Sequence, residues 1–384
     1  MNITTTKDSL TRKLRGASID SVQGISDYSL FKEAAVNLLI ELNPAETIRH
    51  ATLNVFDGIY DYTPEADVKS LADIRPQTYG RSSYDNAQHL YMGAFDRNKG
   101  NELNEFSLEY RDGSKLLRYA RDVGNSIVVD ENTDDNWTAG TGVSNIAEDT
   151  IIYAENSRSL RFDISSGSNL LTWAGTSTKD LSKHTKRSSF FRWIYLPDAS
   201  IITSIKVRVG SSSANYYEIT GQIHFGTIRN GWNLYRFDWD GVTDSGTTDE
   251  TVIDYVRLEI VATSADTDIR IGKMFSKIPT PREYVYYSNY LFRSATGTFK
   301  ETPSTDTDII NLDIDSENLY VYECARIAAR ELQNAELKDE YTSWLYGDAK
   351  TVGQYARYKA SKPSEVKKKV GDYGMKPRWQ RNYR

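Results

Sequence analysis

Apolar positions recur along this chain at two periods. In residues 27–42 they fall three and four apart, with Leu30, Phe31, Ala34, Ala35, Leu38 and Leu42 on one side, which predicts a helix that Pro44 stops. Residues 311–347 repeat that spacing through Leu319, Tyr322, Ala325, Ala329 and Leu332. After a slip in register it resumes at Leu337, Tyr341 and Trp344 or Leu345. Asp313, Asp315 and Ser316 offer oxygens to cap the start, Glu317 adds a favourable charge in the first turn, and Gly347 suits the end. One long amphipathic helix is the expectation.

Elsewhere the period is two. Residues 48–62 alternate around Asp57-Gly58, and residues 102–121 around Asp112-Gly113, both hairpin signals. Residues 63–77 predict a short helix or turn followed by a strand. From about Ile127 to Lys277 many short runs alternate between Gly, Ser, Thr, Asn and Asp breaks. The clearest are Leu160-Phe162-Ile164, Ile205-Val207-Val209 and Val256-Leu258-Ile260. Such spacing with no helix between predicts an antiparallel sandwich. Residues 283–301 predict two aromatic strands around Ala295-Thr296-Gly297.

The expected architecture is therefore α+β and multidomain. A base of helices plus small β elements comes from residues 1–125 and 280–348, and a jelly-roll-like antiparallel β-sandwich is inserted at 127–278. A basic, extended C-terminal arm covers 349–384 and needs a partner to order it. The 384 residues suffice for two or three cores.

Composition sharpens this picture. The net charge is −6, yet residues 349–384 hold eleven Lys or Arg against Glu365 and Asp372, a balance of +9 that leaves −15 on residues 1–348. An acidic body with a basic, aromatic-studded tail can dock copies of itself or another acidic protein, and the same mix could contact nucleic acid. The 26 Tyr and seven Trp suit strands and contact surfaces. Cys324 stands alone, which excludes an intramolecular disulfide framework and a thiolate metal cage. No apolar run reaches membrane-span length, and residues 1–20 lack the apolar middle of a secretory signal, so neither membrane nor export is expected.

Catalytic signals are missing. His50, His89, His184 and His224 lie apart, without a second His or a carboxylate at metal-ligand spacing, and neither phosphate-loop nor nucleophile-elbow patterns occur. Asp238 and Asp240 flank Trp239 and could serve a glycosidase cleft or a calcium loop, although such residues more often end a strand. The expectation is no enzyme, no cofactor and no metal.

The order of parts resembles the head-to-tail adaptor, or connector, proteins of tailed bacteriophages. The resemblance rests on the 27–42 helix, the SLADIRPQ stretch, the YVYYSNYLFRSATGTF hairpin, the D-x-D-I-x-N-L step at 306–312, a helix opening LYVYECARIAARELQ, and the basic tail. It covers about 1–125 and 280–384. It implies a virion structural protein assembled in the host cytoplasm, forming a homo-oligomeric ring, a dodecamer in the family pattern, between the portal protein and tail or nozzle proteins. Collar or fibre proteins are further implied partners. Carried onto this chain, ring or portal contacts fall to Leu319, Tyr322, Arg326, Arg330, Tyr341 and Trp344 on the helix. On the arm they fall to Lys367, Lys368, Lys369, Arg378, Trp379, Arg381 and Tyr383.

The middle domain is larger than that family pattern allows. Its strand order and GWNLYRFDWDG segment are similar to jelly-roll carbohydrate-binding modules, in which flat aromatic faces stack on sugar rings. That similarity implies a surface glycan as ligand and a platform drawn from Trp173, Tyr216, Tyr217 and Trp239, with Trp193 and Trp232 also in reach. Among these, Trp232 beside Gly231 reads most like core and Trp239 between two Asp most like surface. The competing whole-chain reading is a soluble carbohydrate-binding protein without catalytic activity.

Overall fold

A computed structural model describes residues 1–361 apart from 18, 20–21, 23, 26–27, 43, 77–87, 90–104, 112–113, 121–125, 133–135 and 155–156. The described chain forms two compact units. The described residues within 1–49, 67–70 and 286–384 make one, and those within 50–66 and 71–285 the other. The described residues among 50–66 and 71–120, expected in the base, thus fall in the second unit.

The first unit is built on helices. Asn2 caps α1 (Ile3–Lys13) by accepting from Thr5 N–H, a helix that the threonine-rich sequence did not announce. The expected helix at 27–42 is α2 (Ser29–Glu41), and its anticipated apolar side is buried. The expected single helix over 311–347 is two: α3 (Ile314–Glu331) and α4 (Ala335–Tyr346). Gln333 between them takes φ 56°, and Asn334 caps α4 from its side chain. The slip in apolar register after Leu332 therefore marks a chain break, which lets α4 fold back on α3.

Their core collects Leu30, Phe31 and Leu38 of α2 with Tyr320, Cys324 and Ala328 of α3 and Leu345 of α4. Buried polar groups within it are matched. The Tyr320 hydroxyl donates to the Phe31 carbonyl at 3.0 Å. Glu323, wholly buried, accepts from Asn37 at 2.8 Å and pairs with Arg326. Burial pushes the Cys324 thiol up, so it is an inert core side chain. The expected extended arm begins instead with α5 (Gln354–Ser361), whose Tyr355 is buried in the same core. Beyond it, Lys367, Lys368, Lys369, Arg378, Trp379, Arg381 and Tyr383 lie outside the described residues.

The second unit contains the predicted sandwich. One sheet runs Val143–Asp149, Ser159–Ile164, Asp266–Lys277, Ser189–Leu196, Gly231–Phe237. The other runs Trp137–Ala139, Gly167–Lys179, Ile253–Ala262, Ile202–Gly210, Tyr216–Ile223. Tyr216–Ile223 belongs to both: its Tyr216–Thr220 portion pairs with Lys206–Gly210, and its Gly221–Ile223 end pairs with Tyr235–Phe237. Gly221 sits at that corner because a Cβ there would meet the Phe237 ring at 2.5 Å. The three alternating triplets named above all face the shared core.

Two hairpin expectations differ in outcome. Glu105–Arg111 pairs with Ser114–Ala120 as Asp112-Gly113 suggested, the turn residues themselves lying outside the described set. Asp61–Tyr62, by contrast, pairs with Leu117–Arg118 and not with Ile48–Val55, so Asp57-Gly58 turns the chain without closing a hairpin. Around Ala295-Thr296-Gly297, Phe292–Arg293 pairs with Phe299–Lys300, while the aromatic run before it belongs to Thr280–Ser288 in another sheet.

Candidate functional site

Alternation fixes what the second sheet shows on its outer face. Val207, Val209, Val256 and Leu258 point into the core, so their neighbours Lys206, Arg208, Tyr255, Arg257 and Glu259 lie on the opposite face. The register then places these side chains in rows. Thr172, Arg257, Arg208 and Glu218 stand opposite one another across four strands. In the next row Gly210 separates Tyr255 from Tyr216. The Tyr216 and Tyr255 rings have centroids 6.4 Å apart, and the Arg208 guanidinium lies over the Tyr216 ring at 4.6 Å. Tyr216 is half-exposed and Tyr255 is buried. Gly210 admits no side chain: a Cβ would meet the Asn215 carbonyl oxygen at 2.2 Å and Tyr216 Cβ at 2.7 Å.

The charges of this face are unequally matched. Partial burial works to raise Glu218, but Arg208, which donates to it at 2.7 Å, and Lys206 together hold it below the usual carboxylate range. Lys206 reaches the same carboxylate at 3.5 Å. Glu259 accepts from Ser168 at 2.6 Å. Arg257, directly opposite Arg208, makes no ion pair with a described residue, and its buried Nε has no hydrogen-bond partner.

The other proposed platform residues are placed differently. Trp173 is 2 % exposed in the sandwich core, its ring against Gly175, so it presents no face to a ligand. Tyr217 points inward, its hydroxyl donating to Glu250 at 2.9 Å; burial and that carboxylate push it up to about 12. Trp239 is half-buried at the core edge, edge-on to Tyr217 at 5.1 Å, with its indole nitrogen buried. Of the four, Tyr216 alone stands on an outer sheet face. Trp232, read from sequence as core, is half-exposed on the outer face of the first sheet. It is edge-on to Tyr195 at 5.5 Å and lines a cleft of about 200 Å³ with Phe225, Leu234 and Leu116. Sequence alternation indicated which side of each strand faces the core but not the register between strands, so the row that sets Arg257 against Arg208 beside Tyr255 and Tyr216 went unremarked.

No acid–base pair emerges at Asp238, which accepts from Ser189 at 2.5 Å and from Arg236 at 2.7 Å and so braces strands; Asp240 is exposed. Among the described residues no group of three or more His, Cys, Asp or Glu could hold a metal. In the helical unit Leu319 is buried, and Tyr322 stacks on Trp344 at 3.7 Å and meets Tyr341 edge-on at 5.7 Å. Arg326 is spent on Glu323 and Arg330 on Glu33 and Glu331. These six proposed contact residues thus make intramolecular contacts.

No family model matches the chain, and no curated protein matches it. Solved structures similar to it include the family 30 carbohydrate-binding module of a cellulosomal cellulase from Clostridium thermocellum, at 10 % identity and a TM-score of 0.29. That match covers 41 % of this chain and 96 % of the module. The family 11 carbohydrate-binding module from Clostridium thermocellum, in complex with a β-1,3-1,4-mixed-linked tetrasaccharide, is 10 % identical with a TM-score of 0.28, covering 40 % and 95 %. A Caldicellulosiruptor saccharolyticus module in complex with mannohexaose is 11 % identical with a TM-score of 0.27, covering 39 % and 96 %. The chain's own strand order and shared core make it a β-sandwich.

Proposed function

We propose that this chain is a non-catalytic glycan-binding protein whose sandwich takes a polysaccharide on the outer face of its second sheet. The observation that carries this reading is the half-exposed Tyr216 ring, held beside Tyr255 across Gly210 and under the Arg208 guanidinium. A tyrosine fixed in that way offers a flat apolar face at little entropic cost, and the surrounding Arg, Glu, Ser and Thr side chains can meet sugar hydroxyls. Affinity electrophoresis of the full chain in gels containing soluble glucans, mannans and uronans tests it. Tyr216→Ala should abolish retardation, and Trp232→Ala should leave it intact. Absence of retardation by every polysaccharide overturns the reading; loss in Trp232→Ala alone moves the site to the other sheet.

The helical unit favours a second reading, self-assembly of the kind the connector resemblance implies. On α2, Val36 and Ile40 lie one turn apart and are 44 % and 72 % exposed, on a helix already apolar on its buried side. A helix apolar on opposite sides suits burial between neighbours. Mass measurement in solution tests this: an oligomer that Val36→Asp with Ile40→Asp reduces to monomer supports it, and a wild-type monomer at high concentration counts against it.

A further inference from the structure

We infer that the polysaccharide taken by this sheet face is acidic, with a uronate carboxylate seated on Arg257. The inference rests on the glycan reading above and adds the chemical class of the ligand.

Arg208 and Arg257 stand directly opposite on neighbouring antiparallel strands. Like charges in that relation repel, so each needs an anion close by. Arg208 has Glu218 at 2.7 Å. Arg257 has Thr172 on its other flank, and Glu259 two residues along its own strand is engaged by Ser168. The Arg257 Nε is buried and unpartnered, and its guanidinium brings to the face a positive charge with no described carboxylate paired to it. A buried N–H without an acceptor is costly, and a guanidinium fork matches a carboxylate bidentately. Tyr216 and Tyr255 stand in the row beside it. A sugar ring on Tyr216 thus brings a substituent of its own, or of the next residue along the chain, within reach of Arg257. A neutral glucan supplies hydroxyls there but no charge. A uronan supplies the carboxylate that Glu218 supplies to Arg208.

Calorimetric titration of the full chain with oligogalacturonate, its methyl ester and a neutral cello-oligosaccharide separates the cases. Oligogalacturonate should bind at least tenfold tighter than the methyl ester, with the advantage shrinking as salt rises. Arg257→Gln should erase that advantage, Arg257→Lys should restore part of it, and Tyr216→Ala should weaken both acid and ester. Melting curves check that each variant folds. Equal or tighter binding of the ester or the neutral oligomer, unaltered in Arg257→Gln, overturns the acidic ligand and leaves the glycan site standing. No heat with any of the three, together with no retardation by any polysaccharide in the gels, removes the glycan reading itself.

Discussion

Asn169 and Asn233 occupy equivalent places, each closing the turn that feeds a sandwich strand. Asn233 Oδ1 accepts from Arg229 N–H at 3.0 Å, and its Nδ2 donates to the Arg229 and Gly231 carbonyls at 2.7 and 2.9 Å. Asn169 does the same for Ser165 and Gly167, at 2.8, 2.9 and 3.0 Å. The glycine two residues before each Asn has φ +98° or +100°, backbone that a side chain would strain.

Replacing either Asn by Ala removes the side-chain hydrogen bonds that hold partly buried turn backbone, at a cost of about 1–3 kcal/mol. Urea denaturation should show both losses, nearly additive because the turns share none of these bonds. A change below about 0.3 kcal/mol in either variant would count against this role.

His224 predicts a pH dependence. Its two ring nitrogens are buried with only the Asp61 backbone close enough to act on them, and the imidazole is edge-on to Phe56, Tyr62, Phe191 and Phe225 at 5.2–6.4 Å. Desolvation, then the Arg236 charge, depresses it to about 3 from a usual value near 6.5. The unfolded chain therefore takes up the proton first as pH falls. This contribution is complete above about pH 6.5 and is lost progressively towards pH 3. Unfolding free energy measured from pH 7 to 4 should fall more steeply in wild type than in His224→Phe. Parallel profiles would refute the assignment.

The pair Arg192–Asp130 is wholly buried, with the guanidinium 5.3 Å from the Trp137 ring. Asp130 also accepts the Met274 N–H at 3.0 Å. Asp130→Ala should cost about 3–5 kcal/mol, because it strands a buried cation. The midpoint of chemical unfolding reads it, and a loss under about 1 kcal/mol would mean that water or relaxation replaces the carboxylate.

At the break between α3 and α4 the two neighbours should respond oppositely. Asn334→Ala removes the cap and should cost about 1 kcal/mol. Gln333→Gly frees a residue held at φ 56° and should be neutral or stabilising by up to about 1 kcal/mol. Thermal melting of the two single variants distinguishes them; equal destabilisation would show that the break is set by tertiary packing alone.

Much of this protein was legible in its residues. Alternation in Ile205-Val207-Val209 and Val256-Leu258-Ile260 specified strands and their buried side, because the side-chain period of a strand leaves no other way to bury all three. The slip after Leu332 carried the α3–α4 break in plain view, although it reads equally as a drift within one helix until the left-handed residue is seen. The apolar positions of α2 likewise fixed its buried side and left Val36 and Ile40 outside.

By itself, then, the sequence determined the elements: a two-residue or three-to-four-residue period is a local property, set by backbone geometry whatever the surroundings. Tertiary structure alone decided partners. Strand pairing across distant segments turned Trp173 inward and Trp232 outward, sent Asp61–Tyr62 to Leu117–Arg118, and set Arg257 against Arg208 beside Tyr216. Which residues meet depends on register between segments far apart in the chain, and no local period encodes that register.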